Sequence, residues 1–216
     1  MLELLGKTEL RTVLVLGAHC DDPEIGCGGT LLRLARSFPR AKFIWTTLSS
    51  DPVRAKETSR AVSCLLSGIA DVELRIDSFR ASFFPHDAAR IKEIFEALKN
   101  TCSPDLILTH YRHDLHQDHR VINELTWNTF RNHLILEYEI PKFDGDLGAP
   151  NAFVPLTRED LRQKTDVLMQ CFASQLDRKW FTRETFEAIA RLRGIECNAP
   201  EGFAEAFYVR KARLGF

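Results

Sequence analysis

Residues 14–30 read LVLGAHCDDPEIGCGGT, and this stretch decides the fold. A short run of valine and leucine ends in a Gly-Ala pair, and one histidine and two carboxylates follow directly. An apolar run of this kind is typical of a buried strand in a parallel sheet. We therefore expect His19, Asp21 and Asp22 at the carboxyl end of that strand, the edge at which open α/β sheets bind ligands. Burying three polar side chains there costs free energy unless a partner such as a metal ion pairs them.

Strand and helix patterns alternate from this stretch to about residue 132. Runs rich in valine, isoleucine and phenylalanine predict strands, and apolar residues at helical spacing predict the helices between them. In chain order the predicted elements are a helix over 30–37, a strand over 41–48, a helix over 51–68, a strand over 72–76, a helix ending before Pro104, a strand over 105–109 and a helix over 118–130. Repeated β–α units predict a parallel sheet with helices on both faces.

The pattern changes in the last third of the chain. The predicted elements there are a strand over 134–140, a loop over 142–151, helices over 158–171 and 181–194, and a final strand over 206–210. No internal repeat and no low-complexity linker separates this part from the rest. We therefore predict a single α/β domain over residues 1–216, with its core over 12–140 and substrate-pocket and closing elements over 141–216.

The composition narrows the class of protein. A chain of 216 residues suits one sizeable domain with a full core, and a hydrophobic fraction of 44% is ordinary for a globular protein. The formal net charge of -1 argues against nucleic acid as a partner. No apolar run approaches the roughly 18 residues that span a bilayer, and residues 1–11 lack the pattern of a signal peptide. The six cysteines form no CxxC pair, so we expect free thiols and a cytoplasmic location.

Four of the seven histidines lie in a second polar stretch, THYRHDLHQDHR at 109–120. This stretch follows another predicted buried strand, so it should open onto the same edge of the sheet as His19. His116 and His119 are three residues apart, which places both rings on one face at the start of a helix. His19 and Asp22 have the same spacing. Three N/O ligands with an open position are typical of catalytic zinc, and the absence of cysteine pairs argues against a structural zinc site.

Other interpretations of these residues stay open at this point. The polar cluster after the first strand could be satisfied by backbone amides, and Asp21 could cap a helix N-terminus. Gly26, Gly28 and Gly29 could cradle a phosphate, but they match neither GxGxxG nor GxxxxGK[ST], so turns and close packing are favoured. The two other histidines of the second stretch are expected to be loop or supporting residues rather than metal ligands.

Two segments together carry a resemblance to a known family. AHCDDPEIGCGGT at 18–30 and HQDH at 116–119 resemble the two signature motifs of the zinc-dependent PIG-L (LmbE-like) de-N-acetylases. Enzymes of that family remove acetyl groups from N-acetylglucosamine-type amino sugars on lipid, thiol-conjugate, antibiotic or small glycoside carriers. The resemblance extends to the C-terminal part of the chain, and it implies a Rossmann-like three-layer sandwich, in agreement with the mostly parallel sheet predicted above.

The resemblance also implies a role for each residue of the two motifs. It implies one zinc ion per chain, bound by His19, Asp22 and His119. It implies that Asp21 is the general base that takes a proton from zinc-bound water, and that His116 stabilises the oxyanion or acts as general acid. Zinc lowers the pKa of bound water from about 15.7 to around 7, which would supply hydroxide at neutral pH.

Further residues are candidates for supporting roles. Asp118 and Asp114 could orient His116 or one of the ligand histidines, and the sequence does not say which carboxylate serves which ring. Arg80 and Arg112 could hold a substrate hydroxyl or phosphate, or could equally be solvated surface residues. The family usually has proline where this chain has a cysteine at position 20, and we expect that thiol to point away from the metal.

We predict a zinc-dependent hydrolase that removes the N-acetyl group from an amino sugar, free or on a nucleotide, lipid or metabolite carrier. One alternative is an amidase that acts on a larger amino-sugar conjugate. A second is a metal-free Rossmann-like binding protein, which would not need the base Asp21. The expected partner is a small N-acetylated sugar rather than nucleic acid or a membrane. The sequence does not give the sugar, the carrier, the pathway or the metal used in the cell. It also leaves the oligomeric state open, and a homo-oligomer is one possibility.

Overall fold

A computed structural model describes residues 9–212 of the chain. The elements in chain order are β1 (Thr12–His19), α1 (Asp22–Ser37), β2 (Lys42–Ser49), α2 (Pro52–Leu66), β3 (Asp71–Ile76), α3 (Phe84–Thr101), β4 (Leu106–His110), α4 (Gln117–Thr129), β5 (Leu134–Tyr138), β6 (Ala152–Leu156), α5 (Arg158–Cys171), α6 (Arg183–Glu196) and β7 (Phe203–Tyr208). A short 3₁₀ turn, Ala173–Gln175, lies between α5 and α6.

All seven strands form one sheet in the order β3-β2-β1-β4-β5-β7-β6. Strands β1 to β5 pair with one another in parallel, and β7 is antiparallel to both β5 and β6. The predicted α/β class with a mostly parallel sheet is therefore confirmed. Because β1 and β4 are adjacent and parallel, their last residues, His19 and His110, lie at the same edge of the sheet.

The sheet is covered by helices on both faces, as expected for a three-layer sandwich. Side chains of a strand alternate between the two faces, and β1 shows this directly. Val13 and Val15 pack into one apolar cluster with side chains of α1, α2 and α5. Leu14 and Leu16 pack into the other cluster with side chains of α3 and α4. The central strand is therefore buried on both sides, and only its ends are available for chemistry.

The structure adds one strand to the predicted elements and moves several boundaries. No element was predicted where β6 lies; its sequence AFVPL contains a proline, which cannot donate a ladder hydrogen bond. The structure places β6 at the edge of the sheet, where it pairs only with β7 and a proline is tolerated. The last strand covers 203–208 rather than 206–210, and α1 begins at Asp22 rather than near residue 30.

The early start of α1 depends on a break in the helix. At Cys27 the backbone leaves helical geometry, with φ −147° and ψ 18°, so two helical segments meet there. The amides of Gly29 and Thr30, near the start of the second segment, donate to the Glu205 carboxylate over 2.9 and 2.6 Å. The Lys164 ammonium lies 2.6 Å from the same carboxylate. Glu205, from β7, therefore caps a helix that begins in the middle of α1.

The glycines of the first motif serve close packing. A Cβ on Gly26 would lie 2.2 Å from Cδ2 of Tyr138, and a Cβ on Gly29 would lie 2.7 Å from a methyl group of Leu156. No real Cβ makes contacts that short with a packed side chain. The interpretation of this motif as close-packed glycine, rather than a phosphate cradle, is confirmed at these two positions.

Two further findings concern the cysteines and the helices. All six cysteines lie in the described part of the chain, and each is a free thiol there. None of the helices over residues 9–212 has a stretch long and apolar enough to cross a bilayer.

Candidate metal centre

Three side chains from three elements converge at the carboxyl edge of the sheet. His19 is the last residue of β1, Asp22 is the first residue of α1, and His119 lies in the first turn of α4. Nδ1 of His19 is 3.3 Å from Oδ2 of Asp22 and 3.2 Å from Nε2 of His119. Nε2 of His119 is 3.5 Å from the same Asp22 oxygen. We call these three residues the triad.

The dimensions of the triad fit a tetrahedral metal ion. Ligands at about 2.0–2.1 Å from zinc and at tetrahedral angles are separated by about 3.3–3.4 Å. The three separations in the triad, 3.2, 3.3 and 3.5 Å, bracket that value. Two imidazole nitrogens and one carboxylate oxygen are also a donor set that zinc accepts, with a fourth position left for water or substrate. The residues present therefore fit one divalent ion.

Asp118 supports the His19 ring. Its Oδ2 is 3.0 Å from Nε2 of His19 and also accepts the amide of Ser82 over 2.5 Å. Its Oδ1 accepts the amide of Phe84 over 3.1 Å. A carboxylate can only accept when it is ionised, so Nε2 of His19 is the donor. The other ring nitrogen, Nδ1, therefore faces the triad, and a metal ion bound there would take the place of the Nδ1 proton.

Asp114 supports the other triad histidine in the same way. Its Oδ2 is 2.9 Å from Nδ1 of His119, and its Oδ1 accepts the backbone amide of His116 over 2.8 Å. Nε2 of His119 therefore faces the triad. Of the alternatives that the sequence left open, the structure places each carboxylate on a triad histidine and neither on the ring of His116.

His116 lies beside the triad and is also the N-cap of α4. The centroid of its ring is 4.8 Å from that of His19 and 4.6 Å from that of His119. Nδ1 accepts the backbone amide of Asp118 over 3.2 Å, which leaves Nε2 as the nitrogen that can donate outward. Burial, together with the nearby His19, lowers the pKa of His116. The ring is thus arranged to donate a hydrogen bond as a neutral imidazole.

Asp21 stands next to the triad without belonging to it. Its backbone has φ 100°, a conformation that glycine adopts easily and that other residues adopt only when the surrounding structure forces it. The carboxylate makes no capping bond to α1; its Oδ1 instead lies 2.8 Å from Nη2 of Arg54. Burial raises the pKa of Asp21 to about 7, although the Arg54 guanidinium acts in the opposite direction. A carboxylate with that pKa can both accept and release a proton near neutral pH.

The electrostatics of the triad favour a cation. The neighbouring histidines hold the pKa of Asp22 well below its usual range, despite its burial. Burial and the adjacent His110 lower the pKa of His119 to about 3, so this ring is neutral. Burial would lower the pKa of His19, but the Asp22 and Asp118 carboxylates outweigh it and raise the pKa to about 9. The negative charge around His19 is what a metal ion would neutralise.

Two of the predicted supporting residues lie away from the triad. The guanidinium of Arg80 stacks 3.6 Å from the ring centroid of Phe83, and the Arg112 side chain is exposed. Within residues 9–212 no hydrogen bond joins either guanidinium to the triad. The Cys20 thiol points towards the carbonyl of Ser49, 3.5 Å away, rather than towards the metal site, as expected.

Sequence reasoning missed one neighbour of the site. Arg54 lies near the start of α2, and its half-buried guanidinium is 2.8 Å from Oδ1 of Asp21. Its position after β2, whose carboxyl end shares the site's edge, was the available signal. His110, expected to be a loop or supporting residue, has a fully buried ring that stacks 3.9 Å from that of His119. Its Nε2 accepts the Ala18 amide over 2.9 Å, so a backbone donor occupies that nitrogen.

Comparison with known sequences agrees with the arrangement of the site. The model of the GlcNAc-PI de-N-acetylase (PIG-L) family matches residues 14–130, which contain the whole triad and its supporting carboxylates. A protein of Escherichia coli K12 described as the uncharacterized deacetylase YaiS is 30% identical over 147 residues, covering 64% of this chain and 78% of that protein.

Solved structures share the fold at low sequence identity. The N,N'-diacetylchitobiose deacetylase of Pyrococcus horikoshii has a TM-score of 0.68 at 19% identity, covering 96% of this chain and 86% of that one. GalB, the 4-carboxy-2-hydroxymuconate hydratase of Pseudomonas putida KT2440, has a TM-score of 0.70 at 17% identity, covering 96% and 99%. The same fold thus carries more than one reaction, so the reaction of this chain has to be argued from its site.

Proposed function

The chain belongs to the GlcNAc-PI de-N-acetylase (PIG-L) family, and from that premise we propose that it is a zinc-dependent hydrolase of an N-acetylated amino sugar. The observation that carries the proposal is the triad of His19, Asp22 and His119, whose ligand atoms are separated by 3.2–3.5 Å. Family membership supports a deacetylase, and the geometry supports its dependence on one divalent ion.

Zinc bound at the triad would lower the pKa of water and polarise the amide carbonyl, which is the chemistry that an unreactive amide needs. Asp21 takes the proton of the attacking water. Its carboxylate is buried, adjacent in sequence to a triad residue and held by Arg54, so it is positioned before substrate binds. The same carboxylate then delivers that proton to the departing amine nitrogen, and acetate and the free amino sugar result.

His116 supplies a hydrogen bond to the developing oxyanion. Because its Nδ1 accepts the amide of Asp118, Nε2–H is the donor that this ring has left, and the ring lies 4.8 and 4.6 Å from those of His19 and His119. A well-placed donor of this kind is worth on the order of 3 kcal/mol in the transition state. This role differs from that of a protonated imidazolium and is consistent with the lowered pKa of the ring.

The substrate is proposed to be an N-acetylated amino sugar because the family acts on such amides and because the diacetylchitobiose deacetylase shares the fold. A hydratase that also shares the fold makes water addition to an unsaturated acid the second candidate. The two reactions differ in their product, since only the hydrolase releases acetate. The amidase for larger conjugates and the metal-free binding protein are the remaining alternatives.

The test measures bound metal and acetate release on the same preparation. We expect about one zinc per chain in protein purified without chelator, and acetate release from at least one member of a panel of N-acetylhexosamines, free, as nucleotide sugars and as glycosides. Asp21→Asn should keep the zinc and lose several orders of magnitude in kcat. His119→Ala should lose the zinc, and His113→Asn, an exposed histidine of the same loop, should lose neither.

Each contrary result removes one part of the proposal. Zinc without acetate release from any panel member would redirect the search to larger amides or to hydration. Absence of any bound divalent ion would support the metal-free binding protein. Near wild-type turnover by Asp21→Asn would show that Asp21 is not the base.

A further inference from the structure

A lysine lies buried beside the triad, in a segment that the family motifs do not include. Lys142 follows β5, and its side chain is only 8% exposed. Lysine is almost never this buried unless it is paired. Its ammonium lies 3.0 Å from Oδ1 of Asp114 and in direct contact with Asp146. Both carboxylates are themselves buried, so the three charges form one cluster shielded from water.

A hydrogen bond from Asp114 connects this cluster to one of the proposed metal ligands, His119. The Asp114 carboxylate that contacts Lys142 also binds Nδ1 of His119 over 2.9 Å and the amide of His116 over 2.8 Å. The Asp146 carboxylate accepts the amide of Leu115 over 2.7 Å. The ammonium therefore joins the segment 142–146 to three consecutive residues of the loop that enters α4.

An ammonium in this position fixes the orientation of a carboxylate. Asp114 has two oxygens and three partners, and Lys142 is the only one of the three that carries a formal positive charge when His119 is neutral. Removing the ammonium would leave two buried carboxylates without a shared cation, which is unfavourable enough to move them. A displaced Asp114 would release the His119 ring, because the Nδ1 bond is what sets that ring's orientation.

We propose that Lys142 is a positioning residue for the metal site. It holds Asp114 against Nδ1 of His119, so that Nε2 of His119 stays directed at the other two triad residues. The proposal rests on the proposed function only in taking a divalent ion as the ligand of the triad. It adds Lys142, which lies outside both signature motifs, to the residues that determine metal affinity.

The rival explanation is that Lys142 only ties two loops together. That role would affect the stability of the fold and leave the ligand geometry unchanged, because Asp146 also binds the amide of Leu115 directly. The two explanations differ in metal affinity and in the electronic spectrum of a bound ion, which report on the ligands rather than on unfolding.

The experiment compares Lys142→Met, Lys142→Gln and Lys142→Arg with the wild-type chain. Zinc affinity is measured by competition with a chromophoric chelator, and the visible absorption of the cobalt-loaded protein reports on ligand geometry. We expect Lys142→Met and Lys142→Gln to bind zinc 10- to 100-fold more weakly, with an altered cobalt spectrum. Lys142→Arg should recover part of the affinity. Lys92→Met is the matched control, since Lys92 pairs with Thr129 and Glu96 instead.

Wild-type zinc affinity and an unchanged cobalt spectrum in Lys142→Met would overturn the proposal, even if unfolding of the metal-free variant shifted. If Lys142→Met does not fold, the same comparison is made with the glutamine and arginine variants, which keep a hydrogen-bond donor. Wild-type protein that binds zinc but releases no acetate would contradict the proposed function and leave this inference standing. Wild-type protein that binds no divalent ion would overturn both.

Discussion

The substitution Glu205→Gln tests the buried ion pair that holds α1 in place. The carboxylate of Glu205 lies 2.6 Å from the ammonium of Lys164, and each side chain is 4% exposed. Glutamine has nearly the same shape and can still accept an amide hydrogen bond with its oxygen. It carries no negative charge, so it cannot neutralise Lys164, whose ammonium otherwise donates to the uncharged carbonyl of Ile25, 2.6 Å away.

The magnitude follows from burial of the uncompensated charge. Removing one partner of a buried ion pair typically costs about 3–5 kcal/mol, because the remaining charge is left without compensation. The unfolding free energy of a whole domain is about 5–15 kcal/mol, so the loss is a large share of it. At roughly 2–4 °C per kcal/mol for a chain of this size, we expect the melting temperature to fall by about 6–20 °C.

Urea unfolding of the metal-free protein, followed by circular dichroism, measures this effect without interference from the metal site. The double variant Glu205→Gln/Lys164→Met removes both charges, so it should be more stable than the sum of the two single changes predicts. We expect a coupling energy of about 0.5–3 kcal/mol. A loss below about 1 kcal/mol for Glu205→Gln, or strictly additive single changes, would refute the account of a buried pair whose members depend on each other.

Three further predictions concern the site and its packing. Asp21 must be ionised to act as a base, and the Arg54 guanidinium limits the rise of its pKa, which burial brings to about 7. Arg54→Met should therefore raise that pKa further and move the acid limb of the kcat/KM profile to higher pH. An unmoved limb would contradict this. Gly26→Ala should lower the unfolding free energy by about 1–3 kcal/mol in denaturant titrations. Gly28→Ala should cost less, because a Cβ there would lie 3.3 Å from Cγ of Lys164, against 2.2 Å from the Tyr138 ring for Gly26. Zinc at about 100 times its Kd should add about 2.7 kcal/mol to the unfolding free energy, and His119→Ala should abolish that gain.

The sequence was sufficient to predict that the two motifs lie close together, because each motif follows the end of a predicted strand. Two buried apolar runs, each followed by histidine and carboxylate residues, predict parallel strands whose carboxyl ends share an edge. The structure has β1 and β4 as direct neighbours, so His19 and His119 come within 3.2 Å of one another. The strong local signal was the alternation of apolar strands and amphipathic helices, and it placed most of the elements within a few residues.

The parts that could not be predicted depend on contacts between distant residues. The cap of the second segment of α1 is Glu205, 176 residues away from the amide of Gly29, and no local pattern connects them. Without that cap, a run with three glycines has little helix propensity, which is why α1 was expected to start later. Lys142 belongs to a loop that was predicted only as part of the substrate-pocket elements, and its burial depends on two carboxylates that the tertiary fold brings to it.

The supporting carboxylates explain why the two triad histidines use different nitrogens. Asp118 binds Nε2 of His19, leaving Nδ1 for the triad, while Asp114 binds Nδ1 of His119, leaving Nε2. His19 is at the end of a strand and His119 is within the first turn of a helix, so their rings reach the triad from different directions. Both carboxylates lie within five residues of His119. The start of α4 therefore sets the orientation of both rings, and a change in the length of the loop before it would disturb two triad residues at once.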